Sequence, residues 1–397
     1  MHSVEILRQT LSQELGFLHK ARLAALWRAV DALVRGGRLW LTALGRDMPG
    51  SAMEKHRIKA IDRLLGNEAL QLAMRQIYRV ITGWLLRNVP RPILLVDWTG
   101  CGAKFYVLRA AVPLGGRGIP LYACVVPKSK MGNRTVQLRF LEELKTMLPE
   151  GCVPVIVTDA GFCVPWFREV TSMGWDFVGR LRGTRSVLLG DERLLINRLF
   201  RRARQRPKNL GDASLRDNDG FKCRVVLGRK PRLKGRRRLT KKGKRGNRVQ
   251  DKKYAAAAKQ PWLLATSLNC HATIVVAVYR TRMQIEETFR DTKSNRFGWS
   301  FNLIGSNDPR RIEMLLMVGC LATIALLAVG AAAEHLQLAR HFQANTVRTR
   351  RVLSLLTLGR RVVSVAIDIS RTEVRKGLAT IRRMLELTSA CGLPPPI

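Results

Sequence analysis

The chain has 397 residues, a length that predicts two or three domains. Because 46% of the residues are hydrophobic, the chain is predicted to be folded and not disordered. Lysine and arginine together number 70 and aspartate and glutamate 29, which gives a formal net charge of +41. So large a surplus of positive charge repels itself in the folded protein, which is expected if the working partner is a polyanion. Nucleic acid and an anionic membrane surface are the two candidates, and we favour nucleic acid.

The cysteines and the N-terminus indicate the compartment. Eight cysteines are present, none in a CxxC pair and none near a pair of histidines at zinc-ligand spacing, which predicts reduced thiols in a cytosolic protein. Charged residues interrupt the N-terminal segment every few positions, so no signal peptide is predicted there.

Residues 1 to about 85 are predicted to be helical because apolar residues recur at helical spacing. Within them, Lys55, Lys59 and Arg63 repeat every four residues and form a basic helix face, and Gly66 marks the end of that helix. The pattern predicts a small helical DNA-binding domain, although a basic face exposed only to solvent would produce the same spacing.

From about residue 90 the pattern changes to strands. Short apolar runs at 93–96 and 153–157 predict strands that are buried on both faces. Between them lie two further predicted strands, at 104–111 and 119–126, and a helix at 136–148. This order predicts an α/β domain with a mixed sheet.

Two aspartates stand at the ends of the two buried strands. Asp97 directly follows the first strand, and Asp159 follows the second after Thr158. Ligand sites in open α/β sheets gather at the carboxyl ends of strands, where two carboxylates can share a magnesium ion. Aspartate is also a common turn residue, so these two positions alone do not specify a site.

Residues 183 to about 258 interrupt the α/β pattern. They end in a basic run, Arg229–Lys253, that holds 14 lysines or arginines and one acidic residue. The segment is predicted to be a loop or β-rich insertion that contacts phosphates, with a disordered solubilising segment as the alternative. Residues 262–266 then predict a strand.

A helix predicted over 278–293 adds a third carboxylate. At 100° per residue, Tyr279, Arg282, Glu286 and Lys293 fall on one face of such a helix. A carboxylate there could bind metal while the cationic side chains hold phosphates. An ordinary exposed face with ion pairs is the alternative.

An uncharged stretch at 314–333 is about long enough to span a bilayer. It is rich in alanine and glycine, and we interpret it as a buried helix in a large domain, with a membrane span as the alternative. Residues 339–397 are predicted to form basic helices.

The spacing of Tyr279, Arg282, Glu286 and Lys293 resembles the YREK signature of bacterial DDE transposases of the insertion-sequence-four family. Six phrases spread over nearly the whole chain resemble transposases of the transposon-ten type: IDRLLGN, LLVDW, VTDAGFCVPWF, PWLLATSL, MQIEETFRDTKS and HFQANTVR.

The resemblance implies a ribonuclease-H-like catalytic domain over 86–338 with a β-rich insertion at about 183–258. Helical regions would flank it, a DNA-binding domain at 1–85 and a dimerisation or synapsis region at 339–397. Asp97, Asp159 and Glu286 would be the catalytic triad and would hold two Mg²⁺ ions, with Mn²⁺ as a substitute.

The resemblance also implies roles in DNA binding. Trp262 would wedge into the DNA end beside a flipped base, and Met283 stands where some relatives carry a tryptophan that packs on that base. The full predicted DNA-binding set is Tyr279, Arg282, Lys293, Trp262, Met283, Lys55, Lys59, Arg63, Arg180 and Arg182.

The implied activity is cut-and-paste transposition, with nicking, a hairpin on the transposon end, hairpin opening and strand transfer into target DNA. Its partners would be double-stranded DNA (terminal inverted repeats and target) and a second copy of the chain, with no membrane, in the nucleoid region of a bacterial cytoplasm. Two alternatives remain open, a structure-specific nuclease of the same fold and a non-enzymatic basic DNA-binding protein.

Overall fold

In the computed structural model the chain divides into two compact units, Met1–Val155 with Thr281–Cys391 and Ile156–Arg280 with Gly392–Ile397. Most of the predicted basic run, residues 230–253, lies outside the described residues. The structure describes residues 2–183, 185–215, 220–229, 260–296, 298–344, 346–347, 349–390 and 393.

The first unit begins with helices. The Asn67 side chain caps the fifth of them by accepting a hydrogen bond from the Leu70 amide, and the fourth ends one residue before Gly66, as the sequence predicts. The helices are α1 (His2–Leu11), α2 (Lys20–Gly36), α3 (Leu41–Asp47), α4 (Glu54–Leu65) and α5 (Glu68–Leu86).

An antiparallel three-stranded meander follows in the first unit, and then helix α6 (Arg134–Met147). Its strands are β1 (Ile93–Cys101), β2 (Phe105–Leu114) and β3 (Arg117–Pro127). The three predicted strands and the helix are confirmed, but Asp97 lies inside β1 and not after it. The pairing of β1 with β2 continues to Cys101 opposite Phe105, so cross-strand hydrogen bonds extend the strand beyond its apolar run.

The second unit contains a sheet with strand order β4-β5-β10-β9-β8-β6-β7 among its described residues. Strand β10 spans the residues predicted for it, and the described part of the predicted insertion is mostly strands. The elements are β4 (Val155–Thr158), α7 (Val164–Ser172), β5 (Asp176–Leu181), β6 (Ser186–Leu189), β7 (Glu192–Leu195), α8 (Ile196–Leu199), β8 (Lys208–Leu215), β9 (Phe221–Gly228), β10 (Trp262–Thr266) and α9 (Ala272–Thr281).

A stacked aromatic pair fills the core of the second unit. The rings of Phe167 on α7 and Phe177 on β5 lie 4.5 Å apart. A Cβ atom at Gly179 would stand 2.3 Å from the Phe167 ring, so only glycine permits this close approach of helix and strand.

The chain then returns to the first unit through helices α10 (Met283–Lys293), α11 (Pro309–His335), α12 (Ala339–Phe342), α13 (Leu355–Ser364) and α14 (Arg371–Ala390). The single helix predicted over 278–293 is therefore wrong, because α9 ends at Thr281 and α10 begins at Met283. The Ile285 amide donates to the Arg282 carbonyl across one tight turn, and the new helix begins after Arg282, its N-cap residue.

Helix α11 is long and apolar enough to cross a membrane by length and composition, and its apolar window is entirely buried inside the protein. It packs against α2, α13, α14 and β3 within the first unit. Glycines permit the closest of these contacts, since a Cβ atom at Gly330 would lie 2.0 Å from the Leu355 carbonyl oxygen. The prediction of a buried helix is confirmed.

Candidate active site

Asp97 lies in the middle of β1, and only 8% of the residue is exposed. Its Oδ1 accepts a hydrogen bond of 2.8 Å from the Trp98 amide, and its Oδ2 accepts one of 3.1 Å from Arg282 Nη1. The backbone therefore orients one carboxylate oxygen, and the other faces a guanidinium.

Glu286 lies in the first turn of α10, and its side chain is 38% exposed. Its Oε1 accepts a hydrogen bond of 2.6 Å from Arg282 Nη2. Arg282 is 7% exposed and so bridges the two carboxylates with two separate nitrogens. The structure thus brings together three of the predicted site residues.

Contacts with β3 hold α10 in the position that this bridge requires. The Thr288 hydroxyl accepts from the Gly118 amide at 2.8 Å and donates to the Gly118 carbonyl at 3.1 Å. Arg117 Nε contacts Asp291 Oδ2 at 2.5 Å. These contacts fix the face of α10 that carries Glu286.

Lys293 lies at the end of α10 and is half-buried. Burial lowers the pKa of its ammonium group, and the charge of Arg109 lowers it further, whereas Cys101 and Asp97 raise it. The predicted cation is therefore in the electrostatic neighbourhood of Asp97.

Arg109, which was not among the residues predicted from the sequence, stands opposite Asp97 in the pairing of β1 with β2. It is 4% exposed, its guanidinium lies 5.5 Å from the Phe289 ring centroid, and burial lowers its pKa. No carboxylate among the described residues forms an ion pair with it. A single arginine within the apolar sequence of β2 was the available signal.

Asp159 belongs to the second unit and directly follows β4, as predicted. It is half-buried, and its Oδ1 accepts a hydrogen bond of 2.8 Å from the Gly161 amide. This bond closes a tight turn that holds the carboxylate at the end of the strand.

The second unit contains a cavity of about 540 Å³, and one of its lining residues is Ala160, which follows Asp159 in the sequence. Its walls combine apolar side chains with Arg180 and Arg182, two of the predicted DNA-binding residues. Arg185 also lines the cavity, and its guanidinium donates to Cys163 Sγ at 3.1 Å. Arg185 was not predicted, although it belongs to the same short arginine-rich segment as Arg180 and Arg182.

Trp262 and Tyr279 contact each other inside the second unit, with ring centroids 5.0 Å apart and planes at 72°. They are 4% and 2% exposed. Tyr279 lies on α9, whereas Arg282, Glu286 and Lys293 follow the helix break, so the prediction of one continuous helix face for all four is wrong.

The remaining predicted residues lie in the first unit. Lys55, Lys59 and Arg63 are exposed on α4, as the spacing predicts. Met283 is half-buried, and its Sδ atom is 3.9 Å from Arg282 Nη2.

The chemistry of the Asp97 and Glu286 pair fits a divalent metal ion. Both supply carboxylate oxygens, the ligands that hard cations prefer, and both already share one cationic group, the Arg282 guanidinium. Among the described residues no cluster of three or more His, Cys, Asp and Glu side chains is arranged to hold a metal.

The transposase DDE domain family matches residues 89–323, which is more than half of the chain. The chain belongs to this family. Membership supports a transposase enzyme that acts on DNA, in a family that generally uses divalent metal ions, and it implies a ribonuclease-H-like fold for the mixed α/β architecture. The matched part of this DDE transposase contains Asp97, Asp159 and Glu286. No curated protein matches the sequence.

Proposed function

We propose that this DDE transposase is a cut-and-paste enzyme of the insertion-sequence-four family that excises DNA at terminal inverted repeats and joins it to target DNA. One observation carries the proposal: Asp97 and Glu286, far apart in the chain, converge on a single cationic group. Two carboxylates that converge on one point could share a divalent metal ion, which metal-dependent phosphodiester cleavage requires.

Asp97, Glu286 and Asp159 are the proposed metal ligands. The first two are supported by their shared counter-ion, and Asp159 by its place after β4 and by the resemblance. Two Mg²⁺ ions, or Mn²⁺ in their place, would supply activation of the attacking hydroxyl and stabilisation of the leaving oxygen when bound. The Trp98 amide orients the Asp97 carboxylate for this role.

Cationic side chains would bind and orient the DNA. Arg282 immediately precedes α10 and Lys293 is its last residue, and both are proposed to contact the phosphates beside the cleaved bond. Tyr279 is proposed as a third phosphate contact, and Trp262 as the wedge at a hairpin end. Further contacts are proposed for Met283, Arg180, Arg182 and the exposed basic face of α4, which is formed by Lys55, Lys59 and Arg63.

The proposed domains are a DNA-binding domain at 1–85, a catalytic domain at 86–338 and a C-terminal region at 339–397 that joins two copies of the chain on DNA. The net charge of +41 supports an extended DNA interface. We place the enzyme in the bacterial cytoplasm, associated with the nucleoid.

The test uses a plasmid with the inverted repeats that flank the gene. Wild-type protein with Mg²⁺ should produce nicks, hairpin ends and strand-transfer products, and chelation should abolish all three while DNA binding persists. Asp97→Asn, Asp159→Asn and Glu286→Gln should each abolish cutting and still bind DNA in a gel-shift assay. Cutting without strand transfer would instead identify a structure-specific nuclease, and metal-independent binding without any cutting would identify a DNA-binding protein.

A further inference from the structure

Arg282 occupies the position where the two carboxylates of the first unit meet. Its Nη1 lies 3.1 Å from Asp97 Oδ2 and its Nη2 lies 2.6 Å from Glu286 Oε1. Because the Arg282 side chain is only 8% exposed, solvent screens these two ion pairs less than it screens pairs on the surface. The single positive charge of the guanidinium therefore offsets the repulsion between two carboxylates, and the three groups together keep one negative charge.

A divalent cation that contacted the same two oxygens would stand within a few ångströms of the guanidinium. Two positive groups at that separation in a half-buried site repel each other strongly, and arginine cannot release its proton to relieve the repulsion. The two cations therefore exclude each other from the space between Asp97 and Glu286.

We propose that Arg282 is an internal counter-cation that holds Asp97 and Glu286 in the metal-free protein and must leave before a divalent metal ion binds them. Metal loading then releases the guanidinium, whose planar donor pair suits a DNA phosphate. Arg282 is then a positioning residue that can bind a DNA phosphate only after the carboxylates have bound metal. This inference rests on the proposed function of the two carboxylates as metal ligands.

The chain offers a matched control on the same helix. Arg290 pairs with Glu287 at 2.7 Å on the exposed side of α10, and 64% of its side chain is exposed. Arg290→Gln removes one guanidinium, as Arg282→Gln does, but it breaks one exposed ion pair where Arg282→Gln breaks two, and it leaves Asp97 and Glu286 bridged. A third variant, Arg282→Lys, keeps the charge but cannot reach both carboxylates with a planar pair of donors.

The experiment titrates the full-length chain with Mn²⁺ in the absence of DNA and follows binding by calorimetry and by the electron paramagnetic resonance of free Mn²⁺. Arg282→Gln should bind Mn²⁺ at least about tenfold more tightly than wild type, which corresponds to about 1.4 kcal/mol. Arg282→Lys should fall between the two, and Arg290→Gln should match wild type. Without metal, Arg282→Gln should also melt at a lower temperature than wild type and recover when Mn²⁺ is added.

Unchanged or weaker Mn²⁺ binding by a folded Arg282→Gln protein, as judged by circular dichroism, would overturn the inference and leave the metal site standing. A different result would remove the site itself: Asp97→Asn and Glu286→Gln proteins that bind Mn²⁺ as tightly as wild type. In that case the carboxylates are not metal ligands, and both the proposed metal-dependent cleavage and the inference about Arg282 are refuted.

Discussion

Arg109 stands directly across the antiparallel strand pair from Asp97, so a buried arginine forms a cross-strand pair with a carboxylate of the candidate active site. Its guanidinium lies 5.5 Å from the centroid of the Phe289 ring, on the helix that carries Glu286. Desolvation of a buried charge costs several kcal/mol, whereas a desolvated cation–π contact returns only about 2 kcal/mol. Arg109 is therefore placed at a cost to the stability of the first unit.

Replacing this charge should stabilise the protein. Arg109→Met keeps a long apolar stem and removes the desolvation cost, so we expect the free energy of unfolding in urea to rise by about 1–3 kcal/mol. Arg139→Met, which removes an exposed arginine, is the control and should change it by less than about 0.5 kcal/mol. A lower free energy of unfolding for Arg109→Met would show that Arg109 stabilises the fold through a partner that the cation–π contact does not represent.

Glu313 on α11 predicts a pH dependence of stability. Its pKa is raised to about 7: burial is the main cause and Glu143 adds to it, while the hydrogen bond from the Val125 amide and the charges of Arg75 and Arg310 oppose the rise. The folded protein thus binds this proton more tightly than the unfolded chain, whose pKa is near 4.5. The resulting stabilisation is complete below about pH 4.5 and is lost as the pH rises through about 7.

Glu313→Gln should remove this part of the pH dependence. Between about pH 5 and pH 8 the free energy of unfolding of wild type should fall by about 2.5 kcal/mol relative to the variant, in urea titrations at each pH. Glu150→Gln, at an exposed position, should retain the wild-type profile. Parallel profiles for wild type and Glu313→Gln would contradict the assignment of a raised pKa to this residue.

The glycines of the core helices predict a packing defect on substitution. A Cβ atom at Gly359 on α13 would lie 1.9 Å from the Leu326 carbonyl oxygen of α11, so Gly359→Ala must separate the two helices. We expect a loss of about 1–3 kcal/mol in the free energy of unfolding. Gly83→Ala on α5 meets no atom within 4 Å, and it should stabilise by up to about 1 kcal/mol because alanine favours the helix. Equal effects of the two substitutions would contradict the close helix contact.

Trp262 combines a core position with a proposed role at the DNA end. Trp262→Leu keeps apolar volume but cannot stack on a base, so it should leave first-strand nicking intact and lower the ratio of hairpin to nicked product by about tenfold. Trp166→Leu is the control, because Trp166 is also buried in the second unit, and its ratio should stay at the wild-type value. An unchanged ratio for Trp262→Leu, measured on end-labelled DNA, would assign Trp262 to the core alone.

The local pattern of residues was sufficient for most elements of the fold. The strand at Trp262–Thr266, the end of α4 before Gly66 and the burial of α11 all follow from apolar runs, helix-ending residues and composition. Asp159 after β4 was predicted for the same reason, because a short apolar run ends there and a turn follows.

Long-range contacts decided the rest. Pairing with β2 carries β1 past Asp97, and the helix predicted across Arg282 is divided in two. Arg282 and Asp97 are 185 positions apart in the chain, so no local pattern could show that one guanidinium joins Asp97 to Glu286. By itself the sequence determined which residue types carry the chemistry and the elements they stand in or beside. The tertiary structure alone decided that two of the carboxylates share a buried cation, because only folding removes these charges from water and forces them to find partners.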